Sequence, residues 1–403
     1  MWYAWVEAQR NLIRTAGAWA AFGAGAWGCW PALLGSDWLS TLLQPQPAEV
    51  PPFGIESVTI GSRTIPVAER IADSMPFCVL RHFAREVDGV PPRKHRRKAL
   101  DILICAPLAG HHAVMLRQTV EALLQDGDVY LTDWVDARDV PLSAGAFGLD
   151  DYVLLIERFL RKVGRERIHI VAVCQATAPT LAALALLASE GEVPAASLTL
   201  MGGPIDTRLN PTGLARFAQS HSVDWFRRTL IDTVPPPYAG AGRRVYPGYC
   251  QQAAIAAAYP RHKWELEADY WSSQAAADAQ GIARSLRHMG EYAAVLDMDE
   301  HYFLDTLQVI FHEQQLARGT WQVGGRQVRP QALSSIALCT VEGTHDTITG
   351  AQQTHAAQAL CSGVADSKRL GLTIADCDHY GLFMGPRWRD EIHPAVTRFW
   401  QKA

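Results

Sequence analysis

The sequence predicts an α/β fold: a mostly parallel sheet with helices on both faces, interrupted by a large, mainly helical insertion. Three observations predict it. Aliphatic and β-branched runs alternate with helical stretches from about residue 99 to residue 201. That rhythm is lost between about Pro204 and Pro330, where aromatic residues and helical spacing take over. It resumes near Ser335 and continues to the last helix. Strands that alternate with helices are joined by crossovers, so they run parallel and are buried on both faces.

Taken in order, the chain opens with a segment, residues 1–43, that holds six of the thirteen tryptophans (Trp2, Trp5, Trp19, Trp27, Trp30, Trp38). A secretory signal is not expected, because Glu7 precedes Arg10 and Arg14 and no convincing cleavage site closes the apolar stretch. The stretch is mostly Ala and Gly and contains Pro31, so a transmembrane span is not expected. Trp2, Trp5/Val6, Leu12/Ile13, Ala16 and Trp19/Ala20 recur at three- and four-residue spacing, which predicts an amphipathic helix. Two uses for it stand open: attachment to an apolar surface, or packing on its own domain or a second subunit. A Pro-rich linker, residues 44–56, follows. Residues 57–203 form the first part of the core. Short strands are expected at Ser57–Ile60, Thr64–Glu69 and Phe77–His82, the first two joined by the Gly-Ser turn at 61–62. The basic cluster RKHRRK at 93–98 reads as a solvated loop.

The crossover part follows. Strand Ala99–Ala106 leads to a Pro-Leu-Ala-Gly-His-His loop and a helix through Leu124. Strand Asp128–Thr132 precedes a helix over Asp150–Val163. Strand Ile168–Val173 precedes an Ala/Leu-rich helix that carries Pro179 in its first turn, where a missing N–H costs no helical bond. Strand Ser197–Met201 ends in Gly202-Gly203-Pro204. Residues 204–330 are expected to form a cap over the core, and residues 331–403 its second part. There the expected elements are strand Ser335–Glu342, a helix over Gly350–Cys361, strand Arg369–Ala375 and a helix over Arg387–Trp400.

Composition narrows the function. The 403 residues are 48% apolar and 19% charged with a net charge of −4, which gives no general pull on nucleic acid. The eight cysteines show no C-x-x-C, and neither H-E-x-x-H nor G-x-x-x-x-G-K-[ST] occurs. Neither a metal nor a nucleotide cofactor is expected.

The chemistry centres on residues 167–190. A buried-type strand stops at Cys174, small residues make a turn, and a helix begins. This is the layout of the nucleophile elbow of α/β-hydrolases, usually written G-x-S-x-G. Here the box is Ala172-Val173-Cys174-Gln175-Ala176, with thiol in place of hydroxyl. Positions two before and two after the nucleophile are crowded by the turn, and Ala is the smallest residue that still has a Cβ. A buried structural cysteine is the bland alternative. A thiol nucleophile needs a base and the base an orienter, in the chain order nucleophile, acid, histidine. Asp346 follows strand 335–342 and His379 follows strand 369–375, which completes that order. Asp376 and Asp378 lie too close to His379 to occupy the usual acid loop. The expected oxyanion hole combines the backbone N–H of Gln175 with that of Ala109, Leu108 being the next choice. His111 and His112 border this loop, with substrate contact and helix-start polarity equally open.

The chain resembles the intracellular poly(3-hydroxybutyrate) (PHB) depolymerases in FGIESV (53–58), APLAGHHAVMLRQTV (106–120), DVYLTDWVDARDVPL (128–142), VAVCQATAP (171–179), TLMGGPIDTRLNPT (199–212), GAGRRVYPG (240–248), RGTWQV (318–323) and DHYGLFMGPRWRDEI (378–392). The resemblance runs from about residue 50 to the C-terminus. It implies a cysteine nucleophile at Cys174, with Asp346 and His379 as acid and base. It also implies ester cleavage in stored polyester at the surface of cytoplasmic polyhydroxyalkanoate granules. Ala176 and Ala109 depart from the Pro and Ser usual in the family. Water is the expected acyl acceptor, with CoA open as cosubstrate, and a homo-oligomer is an open expectation. Two alternatives stand beside this reading: a polyhydroxyalkanoate synthase-like acyltransferase, against which the Ala172/Ala176 pair argues, and a non-catalytic granule-associated protein.

Overall fold

A computed structural model describes residues 3, 5–7, 50–86, 100–164, 168–193 and 195–402. The basic cluster at 93–98 and most of the Trp-rich segment and linker, residues 8–49, lie outside the described residues.

Nine strands form the main sheet: β1 (Ser57–Ile60), β2 (Arg63–Met75), β3 (Cys78–Arg85), β4 (Leu100–Cys105), β5 (Gly127–Trp134), β6 (Ile168–Val173), β7 (Ser197–Met201) and, after the insertion, two more. The insertion contributes the short strands β8 (Asp232–Thr233), β9 (Arg244–Tyr246), β10 (Met298–Asp299), β11 (Gln322–Val323) and β12 (Arg326–Gln327). The last two strands of the main sheet are β13 (Ala337–Gly343) and β14 (Arg369–Ile374), and its order is β1-β2-β3-β5-β4-β6-β7-β13-β14. The run from β5 to β14 is parallel throughout, and β1, β2 and β3 add an antiparallel edge. The α/β class expected from the sequence is therefore the class observed, with helices against a large, mostly parallel sheet.

Burial explains the central strands. Every residue of β6 and β7 is buried, as parallel strands covered on both faces must be. Helices α1 (Arg117–Leu123), α2 (Leu149–Val163) and α3 (Thr177–Ser189) are the crossovers. Helix α3 is apolar all round and buried from Thr177 to Leu187, so it sits inside the protein rather than on it. Helix α2 buries Tyr152, Ile156, Phe159 and Leu160 at helical spacing and turns Arg158 and Arg161 outward.

Several boundaries differ from expectation for local reasons. Strand β2 runs through Met75 rather than ending at Glu69. A register shift between Ile71 and Asp73 absorbs the irregularity. Its charges lie on a half-exposed face, where Arg81 Nη1 donates to Glu69 across the strands at 2.5 Å. The helix expected over 350–361 shrinks to Ala356–Leu360. The buried Glu342 carboxylate instead accepts the N–H groups of Gln352, Thr354 and His355 at 2.8–2.9 Å, which holds the preceding segment as turns. The final helix is broken by a π turn at Trp388–Ile392 ahead of Pro394, whose ring cannot donate.

Between β7 and β13 the chain is mainly helical. It carries α4 (Gly213–Ser220), α5 (Val223–Thr229), α6 (Gly248–Ala258), α7 (Pro260–Ala275), α8 (Ala279–Ala293) and α9 (Glu300–Thr306). A three-stranded sheet, β10-β9-β8, braces it; strands of two and three residues leave no periodicity in the sequence. The start of the N-terminal segment rests on this insertion. Tyr3 is buried, its N–H donates to Asp232 at 2.8 Å and its hydroxyl bonds Asp297, while Glu7 accepts from the Tyr238 hydroxyl. Among the described residues no helix is long and apolar enough to cross a membrane.

Candidate active site

The carboxyl ends of β4, β6, β7, β13 and β14 converge on one edge of the parallel sheet, where loops are free to carry chemistry. Cys174 leaves β6 with φ +54°, in the left-handed region. For a residue with a Cβ this conformation costs on the order of 1–2 kcal/mol and is held by its surroundings. Ala172 and Ala176 are fully buried on either side of it. Gly203 supplies the rest of the space. A Cβ placed there would lie 1.8 Å from Thr177 Oγ1 and 2.5 Å from the Cys174 carbonyl, so the elbow closes against bare backbone. In the sequence alone the Gly202-Gly203 pair reads only as a strand end. Its function as the floor of the elbow needed the β6–β7 register, in which Val173 pairs with Met201.

The structure brings Cys174, His379 and Asp346 together. His379 Nδ1 bonds Asp346 Oδ2 at 2.7 Å, and the other Asp346 oxygen accepts the N–H groups of Ile348 and Thr349, each at 2.8 Å. That carboxylate is thus fixed in orientation before it meets the ring. Thr349 and Thr354 tie the same loop to Gly202 and Gly203 at 2.8 Å each, which joins the acid loop to the elbow. Burial alone disfavours a charged His379 ring. The Asp346 carboxylate and the Cys174 sulfur, which both interact with it, outweigh burial and hold its pKa well above the ordinary histidine value. The other nearby acids are occupied elsewhere. Asp378 accepts from the Tyr259 hydroxyl and the Gly381 N–H, and Asp376 faces solvent beside His345.

The expected oxyanion loop is arranged differently from the simplest picture. The Ala109 N–H donates to Gln175 Oε1 at 2.9 Å, so this group is engaged by the side chain of the residue after Cys174. The next N–H, of Gly110, donates to Gln251 Oε1 at 2.8 Å. Among the described residues no acceptor meets the Leu108 N–H. Gln175 begins the helix that follows the elbow, where first-turn N–H groups have no intrahelical partner. Gln251 comes from α6 and its Nε2 donates to the carbonyls of Tyr246 and Leu296. No motif marked it, since its partner is 141 residues away.

His111 and His112 line the same cavity as Cys174 and His379. His111 Nε2 lies 3.2 Å from the Tyr380 hydroxyl, and its Nδ1 is buried without a hydrogen-bond partner. Burial, with the neighbouring His262 adding to it, pushes the His111 pKa down to about 3. Burial and then Arg138 push His112 down to about 4.

A cavity of about 250 Å³ opens over Cys174 and His379. The insertion supplies Leu214, Phe217, Phe226, Tyr246, Phe303 and Phe311 to its wall, so the helical block covers the site as expected of a cap. Among the described residues no group of three or more His, Cys, Asp or Glu has the arrangement of a metal site.

A nine-stranded, mostly parallel sheet with a strained strand-to-helix turn and a capped cavity at its carboxyl edge defines an α/β-hydrolase. The sequence model described as PHB de-polymerase C-terminus matches residues 202–403, just over half of the chain. The chain belongs to the PHB depolymerase family and is a carboxylic ester hydrolase. Among solved structures it is similar to DcsB in complex with its substrate analogue, at 11% identity and TM-score 0.48 over 84% of this chain and 98% of that one. It is also similar to the monoacylglycerol lipase of Paleococcus ferrophilus (10%, TM-score 0.46, 81% and 98%). Carboxylesterase CesB (YbfK) from Bacillus subtilis is a third (12%, TM-score 0.42, 84% and 93%). No curated protein matches the chain in sequence.

Proposed function

We propose that this chain cleaves the ester bonds of stored poly(3-hydroxybutyrate) inside the cell, at the granule surface, with Cys174 as nucleophile. The observation that carries the reading is the continuous line Cys174–His379–Asp346 at the base of an apolar cavity, in a chain of this family. In this reading His379 takes the thiol proton, its charged ring favoured by the Asp346 carboxylate, and the sulfur attacks as thiolate. Attack on the ester carbonyl forms a C–S bond and a tetrahedral oxyanion, met by the Gln175 N–H and a donor of the 108–109 loop. For Ala109 to serve, the Gln175 side chain must first yield its place to the substrate oxygen. Each such donor contributes about 3 kcal/mol. Collapse breaks the C–O bond, and the leaving alkoxide takes the proton from His379. Neutral His379 then draws a proton from water, or from the thiol of CoA, which attacks the thioester and releases Cys174. Asp346 keeps the ring oriented and stabilises its charged form.

The test is incubation with native amorphous granules, with and without CoA, and identification of the released product by mass. Wild-type protein is expected to release hydroxyacids or their oligomers, or acyl-CoA if CoA is the acceptor, while Cys174→Ala releases none. Undiminished release by Cys174→Ala would sink the assignment of the nucleophile. Polymer growth from hydroxybutyryl-CoA, with CoA set free, would replace it by the synthase-like reading.

A further inference from the structure

The cavity lining is mostly apolar, with Phe217, Phe226, Phe303 and Phe311 supplied by the cap. Set among these are the polar side chains His111, His112, Gln251 and Tyr380. Among the described lining residues there is no Lys, Arg, Asp or Glu. The polar groups are neutral. Both histidines are 8% exposed, and burial keeps their rings uncharged at neutral pH, with His262 beside one and Arg138 near the other adding to the effect. The Gln251 carboxamide is used in full by Gly110, Tyr246 and Leu296. Of the lining groups only the catalytic pair carries charge, and that of His379 is matched by Asp346 and the Cys174 sulfur.

A polyester presents these polar side chains with a recurring group. On the alcohol side of any internal ester bond, a few covalent bonds away, lies the next ester carbonyl, a neutral acceptor. At the end of the chain the same position holds a carboxylate. A neutral hydroxyl satisfies the first. The second must lose its water without gaining a cation, and an unpaired charge is strongly disfavoured in such a site.

We propose that the cavity selects ester bonds flanked by further neutral esters and rejects the last bond of a chain, next to the free carboxylate, with the Tyr380 hydroxyl accepting from His111 Nε2–H and donating its own proton to the flanking carbonyl. This rests on the reading of Cys174 as the nucleophile of a polyester hydrolase. The hydrolytic step is unchanged; only the choice of bond is added.

The experiment uses the full-length protein and two small substrates, the free-acid dimer of 3-hydroxybutyrate and its methyl ester, after activity on granules has been scored. The methyl ester is expected to be cleaved with a kcat/KM about 30-fold or more above that of the acid, and the acid dimer to accumulate from granules. Equal consumption of both dimers, abolished by Cys174→Ala, overturns the selection rule and leaves the nucleophile standing. Failure on granules overturns the underlying reading, and the selection rule falls with it. Tyr380→Phe is expected to lower kcat/KM for the methyl ester about tenfold and to narrow the ester-to-acid ratio. An unchanged ratio in that variant, with its melting temperature unaltered, removes Tyr380 from the assignment.

Discussion

At Cys174 the backbone is forced into a left-handed turn so that the sulfur projects over His379, and small neighbours make the turn sterically feasible. The charged state of His379 gives this pair a measurable signature. Its folded pKa is raised, so the ring binds its proton more tightly in the folded state than in the unfolded chain. The stabilisation is complete below about pH 6.5 and is lost as pH rises through the raised value. Alkylation of Cys174 by iodoacetamide is therefore expected to change by no more than about twofold between pH 6.5 and 8 in the wild type. In His379→Ala it should fall about tenfold at pH 7 and climb with the ordinary thiol titration near 8.5. A wild-type rate that climbs in the same way would place the thiol proton on sulfur.

Among the elements, the loop after β4 and helix α6 act as one unit. Consecutive N–H groups of the loop are held by two glutamine carboxamides, one from the elbow and one from the cap. Gln251→Leu keeps the volume but leaves the Gly110 N–H and two carbonyls unpaired in a buried place. We expect a loss of about 2–3 kcal/mol in urea unfolding. We also expect a fall in kcat with little change in KM, since the loop that meets the oxyanion shifts while the cavity wall remains. Equal changes in both constants would assign Gln251 to substrate binding instead. The junction of α6 and α7 is fastened to the same region, through Tyr259 to Asp378 and through Thr347 to the Ala258 carbonyl.

At the scale of the whole molecule, the N-terminus is stapled to the cap far from it in sequence. Tyr3 packs edge-on against Tyr249 and reaches Asp297, whose other oxygen accepts the Gly248 N–H at the start of α6. Tyr3→Phe keeps the ring and removes the donor from a buried carboxylate, with an expected loss of about 1–3 kcal/mol in urea unfolding. An unchanged midpoint would mean that Asp297 is satisfied by its remaining partners. The described start of the segment thus packs within the molecule, as one of the two uses expected for it requires.

The sequence by itself determined the alternation of strands and helices, the place of the insertion, and the positions of Cys174, Asp346 and His379 at strand ends. These are local properties: a buried strand needs an apolar run, an elbow needs small residues, and a loop side chain follows its strand. Only the tertiary structure decided how the site is built between segments. The Gly203 floor, the engagement of Ala109 by Gln175, the reach of Gln251 from the cap and the pairing of His111 with Tyr380 all join residues that no spacing connects. The same holds for charge. That His111 is neutral and His379 charged follows from burial and from what stands beside each ring, which appears only when the chain has closed around them.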